Sequence, residues 1–170
     1  MRSSIARIFL VGAICLSLPS WAQTTDHDLH RWRAWYREAS VTDQATLMAQ
    51  RMEDDLSQRS DLNGLPLASG FQAVAELMVA EHAWNPVDKL SQFLDWQPVL
   101  ESALEALPRH PDLALLRLGV QSHVPAILDY QGDRDRDRGV VVAALADGHW
   151  SDDPEHDAFV RNFLTYLKSL

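Results

Sequence analysis

The spacing of the apolar residues is the feature that most constrains this fold. From about residue 26 to residue 167, apolar side chains recur every three or four positions. This is the period of an α-helix, and it differs from the alternation of a β-strand. The first segment, residues 26–40, shows the pattern at Leu29, Trp32, Tyr36 and Ala39. The sequence therefore predicts an all-α protein of about six or seven antiparallel helices.

Proline and capping residues mark where the first helices begin and end. Thr42 is placed to cap the second helix, and the third helix, residues 67–83, ends before Pro86. Pro98 fits only near the start of a helix, so we expect a break at residues 95–97. These signals predict several short helices instead of a few long ones.

The second half of the chain follows the same pattern with one ambiguous segment. The helix that begins near Leu113 is apolar on several sides, so we expect it to be the most buried of the set. Val140–Val142 is a β-branched run that is typical of a strand, but no second strand signal accompanies it and we predict helix. Asp153 followed by Pro154 indicates the start of the last helix.

The first 22 residues have the layout of a secretory signal peptide. Arg2 and Arg7 precede an apolar run at residues 8–18, and small residues at positions 20 and 22 favour cleavage after Ala22. The apolar run is shorter than the roughly 20 residues that span a bilayer. We therefore expect cleavage to leave a single all-helical domain, residues 23–170, in the periplasm or outside the cell.

Charge and cysteine content argue against several classes of function. The chain has 15 Lys and Arg against 24 Asp and Glu, and loss of Arg2 and Arg7 with the signal would change its formal net charge from -9 to -11. Nucleic acid is not an expected partner, because its backbone requires clustered cations. The one cysteine, Cys15, lies in the signal segment, so disulfides and thiol catalysis are not expected in the mature chain. No later segment is apolar enough to predict a membrane span.

Two clusters of residues between positions 70 and 130 stand out. The first is the run His82-Ala83-Trp84-Asn85-Pro86 with Lys89-Leu90 and Phe93; the second is Leu115-Leu116-Arg117, Gln121, Pro125, Leu128 and Tyr130. Together they resemble a small family of uncharacterised exported bacterial proteins. That family is similar to tetratricopeptide-type helical hairpins, which implies a stack of antiparallel hairpins and no particular activity. The two hairpins start at about Phe71 and Asp112, roughly 41 residues apart, whereas that repeat has ~34 residues. We therefore expect no regular repeat array.

The turn after the third helix gathers side chains of several chemical types. His82, Trp84, Asn85, Asp88 and Lys89 supply an imidazole, an indole, an amide and both charge signs. As a binding site, this turn would hold a peptide or a small polar ligand, with Trp84 as the anchor. As plain structure, His82 would interact with the helix dipole, Trp84 would fill the core and Asn85 would form the turn. The structural interpretation is favoured, because turns commonly contain such residues.

Arg117, Gln121 and Tyr130 complete the set of candidate binding residues. Arg117 lies in the most apolar helix, where a guanidinium must be paired. We expect it to bind a carboxylate, such as that of Asp88 or Asp129, or backbone carbonyls at a neighbouring helix end. Alternatively, Arg117 faces a cleft and binds an anionic group. A structural pair is favoured, because one basic residue without a second donor cluster is a weak anion site.

The sequence indicates neither a metal nor a cofactor, and no catalytic motif. His27 and His30 are three residues apart, and His149 and His156 border an acidic loop, but no pair has the spacing of ligands on one helix face. The alternating run Asp133–Arg138 has no net charge and predicts a solvated helix start. No serine-hydrolase, zinc-protease or phosphate-loop motif is present, so an enzyme is not expected.

Three functions follow from these observations, in order of preference. The first is a non-catalytic module that binds a partner protein or an extended peptide on a helical face. Its candidate surface aromatics are Trp32, Trp35, Trp84 and Trp96. The second is a small-molecule or lipid carrier with a cavity between helices. The third, and least favoured, is an enzyme that uses His82 with Asp88 or Arg117.

Overall fold

The computed structural model describes residues 24–169, and the predicted signal segment lies outside the described residues. The seven α-helices are α1 (Asp26–Thr42), α2 (Ala45–Gln58), α3 (Pro66–His82), α4 (Pro86–Ala106), α5 (Pro111–His123), α6 (Arg134–Ala146) and α7 (Pro154–Leu167). A short 3₁₀-helix, Ala126–Leu128, follows α5. The prediction of an all-α protein with about seven helices is confirmed, and Val140–Val142 lies inside α6. Within residues 24–169, no helix is both long and apolar enough to cross a membrane.

The predicted cap at Thr42 is wrong, because α1 continues through this residue. The Thr42 hydroxyl donates to the backbone carbonyl of Glu38 at 2.6 Å instead of accepting from α2. Asp43 then ends α1 in the left-handed region, with φ at 58°, and Gln44 precedes α2 without a side-chain cap. The connection is therefore two residues later in the chain than predicted. By contrast, Asp153 caps α7 as predicted and accepts from the His156 amide at 3.0 Å.

The predicted break at residues 95–97 is also wrong, because α4 is continuous and contains Pro98. A proline in a helix removes the hydrogen bond to the carbonyl four residues earlier, here that of Leu94. Both Pro98 and Leu94 are exposed, so water can hydrate that carbonyl. Apolar residues on both sides of Pro98, Phe93 and Leu100 among them, are buried in the core and keep the two halves aligned.

The core is built around α3 and α5. α3 packs against α1, α2, α4 and α5, and α7 packs back against α1. Residues 112–121 of α5 are all buried, which confirms the prediction that this helix is the most buried. The packing of α3 with α1 and α5, and of α7 with α1, joins helices that are not neighbours in the sequence.

Two glycines allow α5 to approach its neighbours closely. A Cβ atom on Gly70 of α3 would lie 2.3 Å from Cδ2 of Leu113, and a Cβ atom on Gly119 of α5 would lie 2.6 Å from the hydroxyl oxygen of Tyr36. Both contacts are too short for non-bonded atoms, and Leu113 and Tyr36 are themselves buried. Glycine is therefore required at both positions for this helix spacing.

Gly70→Ala is expected to destabilise the fold, and Gly139→Ala is expected to stabilise it. Overpacking against the buried Leu113 costs about 1–3 kcal/mol, which exceeds the helix-propensity gain of about 1 kcal/mol. Gly139 is also inside a helix, but a Cβ atom there would meet nothing within 4 Å. Only the propensity gain of about 0.5–1 kcal/mol applies to it. Urea unfolding curves of the two variants should shift in opposite directions, and a shift in the same direction would refute the close approach.

Candidate functional site

The turn between α3 and α4 uses some of its polar residues to satisfy the backbone. The side chain of Asn85 accepts from the Val87 amide at 3.0 Å and caps α4. The ammonium group of Lys89 donates to the carbonyl of Glu81 at 2.6 Å, close to the end of α3. These contacts fix the angle at which α4 leaves α3. Asn85 therefore has the role in the turn that the sequence favoured, and Lys89 also contacts the backbone there.

His82 and Asp88 occupy the two sides of the same turn. Nδ1 of His82 donates to the carbonyl of Met78 at 2.8 Å, and Nε2 lies 2.5 Å from a carboxylate oxygen of Asp43. The α1–α2 connection is therefore held beside the α3–α4 turn. Asp88 lies in the first turn of α4, where a carboxylate interacts favourably with the helix dipole.

Trp84 does not fill the core, and the structural interpretation is wrong for this residue. Its side chain is 99% exposed, beside Val87 at 70%, Leu94 at 59% and Leu90 at 43%. Val87, Leu90 and Leu94 follow one another three and four positions apart, so they share one side of α4. We call these four residues the Trp84–Leu94 surface. A group of exposed apolar residues of this kind is a candidate for an interaction site.

A cavity lies farther along α4 than the Trp84–Leu94 surface, and several carboxylates lie near that surface in the sequence. The cavity has a volume of about 340 Å³ and is lined mainly by apolar residues of α3 and α4. Pro98, one helical turn after Leu94, is among them. Glu81, Asp88 and Asp95 are exposed and lie next to the surface in the sequence. This stretch of the chain thus combines exposed apolar residues with three exposed carboxylates and the exposed Lys89.

The other predicted aromatics are not free surface residues. Trp32 is fully buried, where it lies 5.7 Å from Phe71 between ring centroids. Trp35 and Trp96 are partly buried against the core. Of the four tryptophans predicted for the surface, Trp84 is the one whose side chain is exposed.

Arg117 is part of an internal network of ion pairs. Its side chain is 1% exposed, and its Nε and Nη2 donate to both oxygens of Asp137 at 2.6 and 2.7 Å. Its Nη1 donates to Glu101 at 2.8 Å and lies 3.1 Å from Asp133. The Tyr130 hydroxyl donates to Glu101 from the other side. Burial opposes the charge of Arg117, but the hydrogen bonds and charge of Asp137 outweigh it and raise its pKa.

The network confirms that Arg117 forms a structural pair but corrects its partners. Asp88 is in the first turn of α4 and Asp129 ends the 3₁₀-helix with φ at 47°, and neither binds Arg117. The partner Asp137 belongs to the alternating segment that the sequence placed in solvent. Gln121 is buried one turn after Arg117, and its Oε1 has no hydrogen-bond partner among residues 24–169. The predicted binding residues therefore belong to two separate regions, the turn and the core.

A second internal network, around Asp112, was missed by the sequence analysis. Asp112 is 1% exposed and accepts two 2.8 Å hydrogen bonds from Arg33, one from Trp150 at 3.1 Å and one from His149 at 3.2 Å. Burial alone would raise the pKa of Asp112, but these hydrogen bonds outweigh it and hold the pKa well below its usual range. Arg33 lies four positions after Leu29, which belongs to the apolar pattern of α1. This helical spacing was the sequence signal that Arg33 would face the core.

Two further histidines, His110 and His156, lie beside Asp112. His156 is 1% exposed, its Nε2 is 3.9 Å from Asp112, and neither ring nitrogen has a hydrogen-bond partner within the described chain. Burial lowers the pKa of His156 to about 4 and also lowers that of His110. The imidazole of His156 is therefore neutral near pH 7. In the part of the chain that the structure describes, no His, Asp or Glu side chains are arranged to hold a metal ion.

Comparison of the chain with known protein families, with curated proteins and with solved structures found no match. The resemblance to tetratricopeptide-type hairpins stays a prediction. The function of the Trp84–Leu94 surface is therefore inferred from its own geometry.

Arg117→Met is expected to destabilise the protein by roughly 3–5 kcal/mol, because it leaves the buried carboxylate of Asp137 without its counter-charge. Arg161→Met removes an exposed ion pair with Asp157 on α7 and should change stability little. Urea unfolding followed by circular dichroism measures both. Equal stability of the two variants would contradict the importance of the internal network.

Acidification is expected to destabilise the protein between pH 6.5 and about pH 4. In this window, His156 takes up a proton in the unfolded chain and stays neutral in the folded one, so stability falls as the pH falls. The maximum loss from His156 is about 3 kcal/mol, and the lowered pKa of His110 acts in the same direction.

The matched variant is His156→Phe, which keeps an aromatic ring beside Phe159 and cannot be protonated. The measurement compares the slope of unfolding free energy against pH, and not the absolute stability. A shallower slope in the variant is expected. An unchanged slope would refute the assignment to His156.

Proposed function

We propose that this chain is an exported, non-catalytic helical protein that binds a partner protein through the Trp84–Leu94 surface. The observation that carries the proposal is the 99% exposure of Trp84 beside three exposed aliphatic residues of α4. Tryptophan is enriched among the residues that contribute most to protein interfaces. Export is supported by the charged, apolar and small-residue pattern of positions 1–22.

The occupant that fits this surface best is a basic amphipathic helix of the partner. Its apolar side would pack along α4, since Val87, Leu90 and Leu94 repeat at helical spacing. One larger apolar side chain would enter the cavity beside Pro98, whose volume of about 340 Å³ exceeds that of a single side chain. Lysines or arginines at its edges would interact with the exposed carboxylates of Asp88 and Asp95.

An enzyme built on His82 and Arg117 is not supported by the geometry. Arg117 donates to buried and half-buried carboxylates and is 1% exposed, so a substrate has no access to its guanidinium. His82 is paired with Asp43 at a different place in the fold. The two residues therefore do not form one site.

Photocrosslinking inside cells identifies the partner and tests its chemistry. A photoreactive phenylalanine analogue replaces Trp84 in one strain and Ile127 in the other. Ile127 is 90% exposed and lies in the 3₁₀-helix, so it is a matched control. The expected result is a crosslink from position 84 alone, to a segment with apolar residues at helical spacing and Lys or Arg beside them. Identical crosslinks from both positions, or an acidic segment, would overturn the proposal.

The crosslinked segment, made as a synthetic peptide, should bind Leu94→Asp about tenfold or more weakly than the unmodified protein, because a carboxylate would be desolvated in an apolar interface. Val142→Asp introduces the same charge at a 49% exposed position on α6 and should leave the affinity unchanged. Isothermal titration calorimetry measures both dissociation constants. Equal affinities would exclude the Trp84–Leu94 surface as the binding site.

A further inference from the structure

A second cavity lies where the start of α6 meets α5 and the end of α7. Its volume is about 250 Å³. Leu118 and Leu167 form its apolar part, and Arg134, Asp135 and Arg138 contribute charged side chains. These residues belong to other helices than the Trp84–Leu94 surface. Whatever binds here is independent of the proposed docking function.

Residues 133–138, at the start of α6, carry charges that alternate along the sequence. The helix places some of these charges on different sides. Residues four positions apart share one side of a helix, so Asp133 and Asp137 lie on one side and Arg134 and Arg138 on another. Asp137 binds Arg117 at 2.6 Å, and Asp133 lies 3.1 Å from the same guanidinium. Asp137 is therefore directed to the interior, whereas Arg134 and Arg138 line the cavity together with the exposed Asp135.

Arg134 and Arg138 are left without counter-ions. Neither forms an ion pair within residues 24–169, whereas Arg136 between them pairs with Asp133 at 3.2 Å. Like charges four positions apart on a helix repel each other. Both side chains line the cavity and are only partly exposed, so water screens this repulsion incompletely. An anion between the two guanidinium groups would remove the repulsion.

We propose that this cavity binds a small organic anion with a carboxylate or phosphate group. Arg134 and Arg138 would hold the anionic group, because planar guanidinium groups donate paired hydrogen bonds to both kinds of oxyanion. Leu118 and Leu167 would contact an apolar part of the ligand. Asp135 favours a ligand that also carries a hydroxyl or ammonium donor. The available volume limits the ligand to the size of a small metabolite.

Titration with phenyl phosphate, benzoate and neutral benzyl alcohol tests the site, with ¹H–¹⁵N NMR as the readout. The expected result is a saturable shift of the Gly132 amide, which lines the cavity, with one or both anions and none with benzyl alcohol. Comparison of the two anions shows whether phosphate or carboxylate is preferred. Absence of a saturable shift with both anions would overturn the proposal.

Three charge-matched variants separate a built site from general attraction to positive charge. Arg134→Gln and Arg138→Gln should each weaken binding of the better probe about tenfold. Arg136→Gln removes the same charge from the same helix at a side chain that is 60% exposed and should leave the dissociation constant within about twofold. Circular dichroism spectra confirm that all three variants fold. Equal weakening by all three would identify nonspecific ion binding and refute the site.

Discussion

The buried carboxylate of Asp112 joins parts of the chain that are far apart in sequence. Its partners Arg33 and Trp150 lie 79 residues earlier and 38 residues later. Arg33 is itself 3% exposed, so each charge requires the other, because an isolated ion in the interior is strongly destabilising. Residues 112–121 of α5 are all buried, and apolar burial alone does not select one rotation of such a helix. The directional hydrogen bonds of Asp112 supply that selection.

Arg117 likewise joins distant parts of the chain in the other half of the fold. It follows Asp112 by five positions on α5 and binds Glu101 of α4 and Asp137 of α6. One helix thus carries a buried anion and a buried cation, each paired with different neighbours. Because these polar groups are satisfied inside, most of the polar residues that looked functional in the sequence have structural roles. The apolar groups left outside, above all Trp84, then become the informative feature of the surface.

The sequence predicted the helices well and their polar contacts poorly. Apolar spacing is local, so it indicated the fold class, the burial of α5 and the start of α7. The prediction of a break before Pro98 was wrong because the effect of a proline depends on the exposure of the carbonyl that it leaves without a hydrogen bond. A sequence does not show that exposure. The interpretation that Trp84 fills the core was wrong because an indole is equally typical of a core and of an interface. The partners of Asp112 and Arg117 depend on tertiary contacts across 16 to 79 residues, beyond any local pattern.

The alternating charges of residues 133–138 show most clearly what folding adds to a sequence pattern. Along the chain they cancel, but on the helix Asp137 pairs with Arg117 in the interior, while Arg134, Asp135 and Arg138 line a cavity that therefore has two positive charges against one negative charge. Arg117 contributes to that division and also holds Glu101 of α4. An Arg117 variant would therefore disturb the α6 cavity and α4 together. Its effect on binding could not be attributed to either region. Only substitutions that leave this network intact, such as those at Leu94 and Arg134, can separate the two proposed binding sites.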